Sequence, residues 1–267
     1  VTRGNFGGPL KFAAENLPPG IVMHAVEMPP NIDRFPVVFE AKPEAELASA
    51  LVDVTVAHSD DKKNIRGHFG HTIEMVRGAG NRIFYRTTVE RLAIAVAEPA
   101  PFRIEIDTPP TAILQRGSMN LKVRAIRDEG FDNAITLRLP WKPSGIGSSG
   151  TISLPKGKSE IDYPLTANGG AAIGTWKIVV LGEANTKTGP LIVSSALTEL
   201  RVEKPFVNIK IEMAAIERGQ VGDLFCKVEQ LRPFEGEAVV QLIGLPAHTS
   251  TESRKITKDT KELIFPI

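Results

Sequence analysis

Apolar and polar residues alternate with a period of two along most of this chain. In MNLKVRAI (119–126), Leu121, Val123 and Ala125 share one face, and Lys122 and Arg124 take the other. FRIEI (102–106) sets Phe102, Ile104 and Ile106 against Arg103 and Glu105. VDVTVAH (52–58), LAIAVAE (92–98), LTELRVEK (197–204) and VNIKIEM (207–213) repeat the pattern. WKIVVLGEA (176–184) reads as one strand presenting Trp176, Ile178 and Val180. Successive side chains of a strand point to opposite faces, so this period predicts strands with one buried face. PKGKSE, TANGG and AIERGQ supply turn residues between them. AKPEAELASALVDV (41–54) is the nearest helical candidate, but Pro43 and the β-rich VDVTV restrict it to a brief turn leading into a strand.

A longer pattern lies over the short one. Phe6, Phe131 and Phe234 each stand twelve positions before a proline, at Pro18, Pro143 and Pro246. Each is followed by an alternating run at the same offset: Leu10, Phe12 and Ala14; Ile135, Leu137 and Leu139; Ala238, Val240 and Leu242. The separations are domain-sized, too long for a solenoid repeat or a propeller blade. The expectation is an all-β chain of tandem antiparallel β-sandwich domains. Residues 1–100 form one that lacks its first strands, 101–204 a complete one, and 205–267 a partial one truncated at the C-terminus. The boundaries fall near AEPAPF (97–102) and VEKPF (202–206), where a proline leads into a Phe and a fresh strand. Such short, proline-stiffened links predict a fairly rigid rod. The chain begins inside a patterned unit and stops in a strand, so it reads as a piece of a longer protein.

Length and composition bound the rest. A chain of 267 residues suits two or three cores. With Lys+Arg 32 against Asp+Glu 31, the formal charge of +1 gives no argument for a nucleic-acid partner. Two Trp and two Tyr leave little for a broad aromatic platform. The single cysteine, Cys226, excludes an intrachain disulfide framework and, between Leu224 and Val228 on an inner face, reads as a core residue. No apolar run is long enough for a membrane-spanning helix.

The stretch RGSMNLKVRAIRDEGFDNAITLRLPWKPSGI (116–146), with LPPGI (17–21) and ERLAIAVAEPAPF (90–102), resembles the immunoglobulin-like modules of very large exported bacterial proteins, familiar from planctomycetes and related groups. Such modules often sit near pre-peptidase C-terminal domains. The shared features are an Arg–Gly, an alternating strand, an Arg, a Gly–Phe corner, a second strand and a Pro–x–Gly turn. The third copy departs at PAHTS (246–250). The resemblance implies a secreted, periplasmic or cell-surface location and a spacer or adhesive role, and it brings no catalytic residues.

Candidate chemistry is sparse. HSDDKKNIRGHFGHTIEM (58–75) holds His58, Asp60, His68 and His71, ligand types for zinc or another divalent metal. His68 and His71 lack the spacing that places two ligands on one helix face. The alternative is a polar loop between strands. Asp128, Glu129 and Asp132 around the Gly130–Phe131 corner could offer oxygens to calcium, or form an acidic surface turn. Trp141, beside the Pro–Ser–Gly turn, is the candidate ligand-binding aromatic; otherwise it covers the end of the sandwich. Trp176 reads as core. The serines of GIGSSGTISLP (145–155) lack the strand–elbow–helix setting of a hydrolase nucleophile. No residue is assigned to catalysis and no cofactor is expected. The expected function is a non-catalytic spacer or adhesion module whose partners are neighbouring domains of the same polypeptide. The alternative is a carbohydrate- or peptide-binding accessory module of a secreted hydrolase.

Overall fold

The computed structural model describes residues 1–187 and 189–267. Before the proline-rich stretch at 97–102 run β1 (Leu10–Glu15), β2 (Ile21–His24), β3 (Val38–Ala41), β4 (Ser49–His58), β5 (Arg66–His68), β6 (His71–Arg77), β7 (Ile83–Val89) and β8 (Leu92–Ala95). The central segment begins with β9 (Phe102–Ile106), β10 (Ile113–Leu114), β11 (Ser118–Arg127), β12 (Ile135–Arg138) and β13 (Ile146–Ser148). It continues with β14 (Ile152–Leu154), β15 (Glu160–Ala167), β16 (Gly174–Ile178), β17 (Leu181–Thr186), β18 (Gly189–Ser194) and β19 (Thr198–Glu203). The last segment carries β20 (Val207–Ile211), β21 (Asp223–Gln230), β22 (Ala238–Val240), β23 (Arg254–Ile256) and β24 (Glu262–Pro266). The chain is all-β, with several antiparallel sheets, one of them partly curled into a half-barrel. The parallel pair is β10 with β19.

The central segment has sandwich character. One sheet runs β13-β15-β11-β9 and a second runs β14-β12-β17-β18, with β10-β19-β16 beside them. The alternating residues named above converge between the sheets. Phe102, Leu121, Val123, Ile135, Leu137, Leu154, Tyr163, Leu165, Ile178 and Leu200 form one fully buried cluster. Each such side chain removed from water contributes about 1.5–3 kcal/mol. The two sheets approach closely at Gly182. A Cβ added there would lie 2.6 Å from Ile104 Cγ1 on the facing sheet and 3.1 Å from Ile135 Cγ2.

WKIVVLGEA departs from the single strand its alternation predicts. Trp176 and Ile178 lie on β16 and pair with β19, whereas Leu181–Thr186 is β17 and pairs with β12 and β18. Val179 and Val180 are both buried at the crossing between sheets. Ser195 holds the crossing: its Oγ accepts the Val180 N–H at 3.0 Å, and its own N–H donates to the Val180 carbonyl at 2.9 Å. In the N-terminal segment the comparable path is a single ten-residue strand, β4. Its first half pairs with β8 and its second half with β1 and β5.

The Phe–Pro spacing corresponds to local structure. In the Pro–x–Gly turns, the Ile21 N–H donates to the Pro18 carbonyl and the Ile146 N–H to the Pro143 carbonyl, both at 3.1 Å. Gly20 and Gly145 both have φ +81. The strand after each turn then pairs alike, Ile21 with Ala41 and Ile146 with Ala167. In the third segment the Thr249 N–H donates to the Pro246 carbonyl at 3.2 Å, and His248 takes the left-handed position with φ +66. The departure at PAHTS therefore changes the residue and keeps the turn.

Two arginines add a second correspondence. Arg3 donates through Nη1 to Gly8 O, through Nη2 to Pro29 O and through Nε to Ile32 O. Arg127 uses the same three nitrogens, in the same order, on Asn133 O, Pro155 O and Lys158 O. Both guanidinium carbons lie 5.8 Å from a phenylalanine ring, Phe6 and Phe131 respectively. Leu10 bridges Met28 as Ile135 pairs with Leu154 and Ala238 with Ile256. The third segment has its own small core around Cys226, Val228, Ile256, Leu263 and Phe265.

One element has no equivalent elsewhere. From β18 the central chain passes almost directly to β19, between Ser194 and Thr198. Between the corresponding points, His68 and Leu92, the N-terminal segment inserts the whole of β6 and β7. Among the described residues these strands pair only with each other, as a two-stranded sheet. Apolar residues stand side by side at Met75–Val76 and at Ile83–Tyr85, so 71–89 does not read as a period-two run, and the pairing register shifts between Glu74 and Arg77.

Candidate functional site

The histidine-rich loop folds as three separate pieces. His58 ends β4 and is buried, with 4% of its surface exposed. Its Nδ1 accepts the Asp60 N–H at 2.9 Å, and its Nε2 lies 3.1 Å from the Gly7 carbonyl. The ring occupies the space over Gly8, where an added Cβ would stand 2.1 Å from Nε2. Asp60 turns its Oδ1 onto the Lys62 N–H at 3.1 Å. His68 is on β5, with Nδ1 2.9 Å from the Phe69 carbonyl, and His71 opens β6. Among the described residues no group of three or more His, Cys, Asp or Glu side chains is gathered where a metal ion could bind. His58, Asp60, His68 and His71 are therefore near in sequence and are not assembled into one ligand set.

At the second acidic cluster, Asp132 pairs with Lys156 at 3.2 Å, and Asp128, Glu129 and Asp132 are all on the surface. Ser148 Oγ accepts a hydrogen bond from Lys142 Nζ at 3.1 Å, and the Ser149 carbonyl accepts the Tyr163 hydroxyl at 2.8 Å. Cys226 is 1% exposed in the third core, and burial, followed by the nearby Glu212 charge, pushes its thiol pKa up. A thiol so placed behaves as a small apolar side chain.

Trp141 is half-buried in a row of rings that crosses from the N-terminal to the central segment. Phe12 stacks on Phe35 with centroids 6.4 Å apart and planes at 10°. Phe35 meets Trp141 at 6.3 Å, and Trp141 meets Trp176 at 6.1 Å. Trp176 donates its Nε1–H to the Ala172 carbonyl at 2.8 Å. Ring pairs at this separation contribute about 0.5–1.5 kcal/mol each beyond their burial. Beside the row, Pro36, Val37 and Phe39 face Pro140, Val179 and Leu181 across a shallow cleft. Trp141 is thus held between neighbours on both sides. Nothing local in the sequence links Phe35 to Trp141; only the fold brings them together.

The second junction is held differently. Arg232 reaches back to Glu203, the last residue of β19, at 2.8 Å, and its guanidinium carbon lies 4.1 Å from the centroid of the Phe206 ring. Phe206 in turn meets Phe234 edge-on at 6.2 Å.

The remaining surface feature is the β6–β7 hairpin. Ile73, Met75, Val76, Ile83, Phe84 and Tyr85 are all exposed, Phe84 to 71%. The consecutive IFY at 83–85 is the sequence signal that could have marked it. Among the described residues no helix is long and apolar enough to cross a membrane. No protein-family model matches this chain, and no curated protein matches it either.

Proposed function

We propose that this chain is a non-catalytic structural part of a large exported protein. In this reading it is a run of immunoglobulin-like β-sandwich units, 1–100, 101–204 and 205–267, that spaces and presents its neighbours. The observation that carries the reading is the row Phe12, Phe35, Trp141 and Trp176, in which the Phe35–Trp141 pair joins the adjoining segments and Phe12 and Trp176 back it on either side. A flexible string of modules has no use for such a contact, whereas a spacer that must hold a direction does. The Arg232–Glu203 pair and the Arg232–Phe206 contact support the same reading at the second junction. The matching turns, strand registers and arginine clamps support a common unit. The exported setting follows from the resemblance of 116–146 to modules of exported bacterial proteins.

Small-angle scattering tests the proposal. The intact chain is expected to scatter as one extended body with a single maximum dimension. Phe35→Ala should broaden the distance distribution towards that of jointed beads while the central core stays folded. A wild-type profile that already requires freely jointed units, or no change on Phe35→Ala, would overturn it. Glycan-array binding that is lost in Trp141→Ala would replace it with a carbohydrate-binding accessory role.

A further inference from the structure

We propose that the β6–β7 hairpin is a docking edge for an acidic, apolar, extended segment of another protein. The hairpin is an insertion: the central segment closes the same part of its sheets without it. Its two strands bond only to each other, so both outer edges offer unpaired N–H and C=O groups among the described residues. An isolated two-stranded sheet is marginal in water and gains most from an added strand. Six exposed apolar or aromatic side chains between 73 and 85 supply the surface that such a strand would cover.

Charge selects the occupant. The hairpin's one carboxylate, Glu74, accepts Arg77 Nε at 2.7 Å and is thereby taken. Arg82, just before β7, and Arg86, on it, make no ion pair or side-chain hydrogen bond among the described residues. Two unpaired guanidiniums beside an apolar edge fit a strand that alternates apolar residues with carboxylates, which Arg binds in bidentate fashion. A second copy of this chain would bring the same arginines together. A membrane is the poorer fit, because the tip, Gly78 to Asn81, is small and polar while the apolar residues lie along the shaft.

The test uses the full chain and two soluble ten-residue probes, one alternating valine with glutamate and one alternating valine with lysine. The glutamate peptide is expected to bind, to weaken with added salt, and to slow hydrogen exchange of β7 amides. Arg82→Glu with Arg86→Glu should weaken it at least tenfold and create binding to the lysine peptide, with circular dichroism unchanged. Failure of the glutamate peptide to bind, equal binding of both peptides, or binding indifferent to the charge reversal would each overturn the proposal. So would co-sedimentation with phosphatidylserine vesicles in the absence of peptide binding. A dimer dissolved by Phe84→Ser would assign the edge to a second copy instead.

Discussion

Gly182→Ala tests whether the two central sheets meet where the structure puts them. Gly182 lies on β17, and the nearest atoms to an added methyl are Ile104 Cγ1 and Cδ1, at 2.6 and 2.9 Å, on β9 of the facing sheet. Both distances are below any normal carbon contact, and Ile104 is only 3% exposed, so neither side can yield into solvent. Overpacking of this kind costs about 1–3 kcal/mol. Alanine returns about 0.5–1 kcal/mol by restricting the unfolded chain. The net expectation is a loss of about 1 kcal/mol. Ile104→Ala alone should cost about 2–5 kcal/mol, because it opens a cavity in the sealed core. In that background the two Ile104 atoms are gone and Ile135 Cγ2, at 3.1 Å, is the remaining close neighbour, so Gly182→Ala should be near neutral, within about 0.5 kcal/mol. The difference between the two backgrounds amounts to a coupling of about 1 kcal/mol, above the ~0.5 kcal/mol scatter of independent sites. Urea unfolding followed by tryptophan fluorescence reads it directly, since both tryptophans lie in the central segment. If Gly182→Ala has the same effect in both backgrounds, the sheets do not meet at this point and the sandwich packing described here is wrong.

Further outcomes follow from single side chains. Tyr163→Phe keeps the buried ring but removes the hydroxyl donated to the Ser149 carbonyl at 2.8 Å, so it should cost about 1 kcal/mol in the same urea assay; no loss would mean that water satisfies that carbonyl equally well. His248 holds a φ of +66, and glycine accepts that conformation without the Cβ penalty of about 1–2 kcal/mol. After the greater entropy of the unfolded glycine chain, His248→Gly should stabilise the C-terminal segment by about 0.5 kcal/mol. Labelling of Cys226, the chain's single thiol, should then slow about twofold, and faster labelling would contradict the turn assignment. The Cys226 pKa is raised in the folded state by burial, and secondarily by Glu212. The folded thiol therefore keeps its proton at a pH where the unfolded thiol has lost it. Its contribution is complete below the unfolded pKa of about 8.5 and is lost as pH rises through the folded value. The C-terminal segment should show a stability slope in this alkaline range that Cys226→Ala removes; identical slopes would refute it.

The sequence by itself determined the β character of the chain, most of its strands and the Pro–x–Gly turns. Period-two alternation is a local property, and Leu121, Val123 and Ala125 share the buried face they were expected to share. The Pro–x–Gly phrase is equally local: proline presets one dihedral and glycine supplies the other, so Gly20 and Gly145 adopt the same φ. Cys226 was legible as core for the same reason, being in step with Leu224 and Val228 on one strand. Only the tertiary structure decided which sheet each strand joins. WKIVVLGEA reads as one strand, but its apolar run Ile178–Leu181 has no polar position to mark a break, and the chain changes sheets at Val179–Val180, where Ser195, fifteen residues away, bonds the backbone. It was also the fold that separated His58 from His71 and gave the His58 ring nitrogens to Asp60 and Gly7, although the four candidate ligands sit together in the sequence. The contact of Phe35 with Trp141 and the isolation of the β6–β7 hairpin were decided at the same level. Alternation states which face of a strand is buried, but the partner that buries it comes from residues far along the chain, and their choice is made by packing.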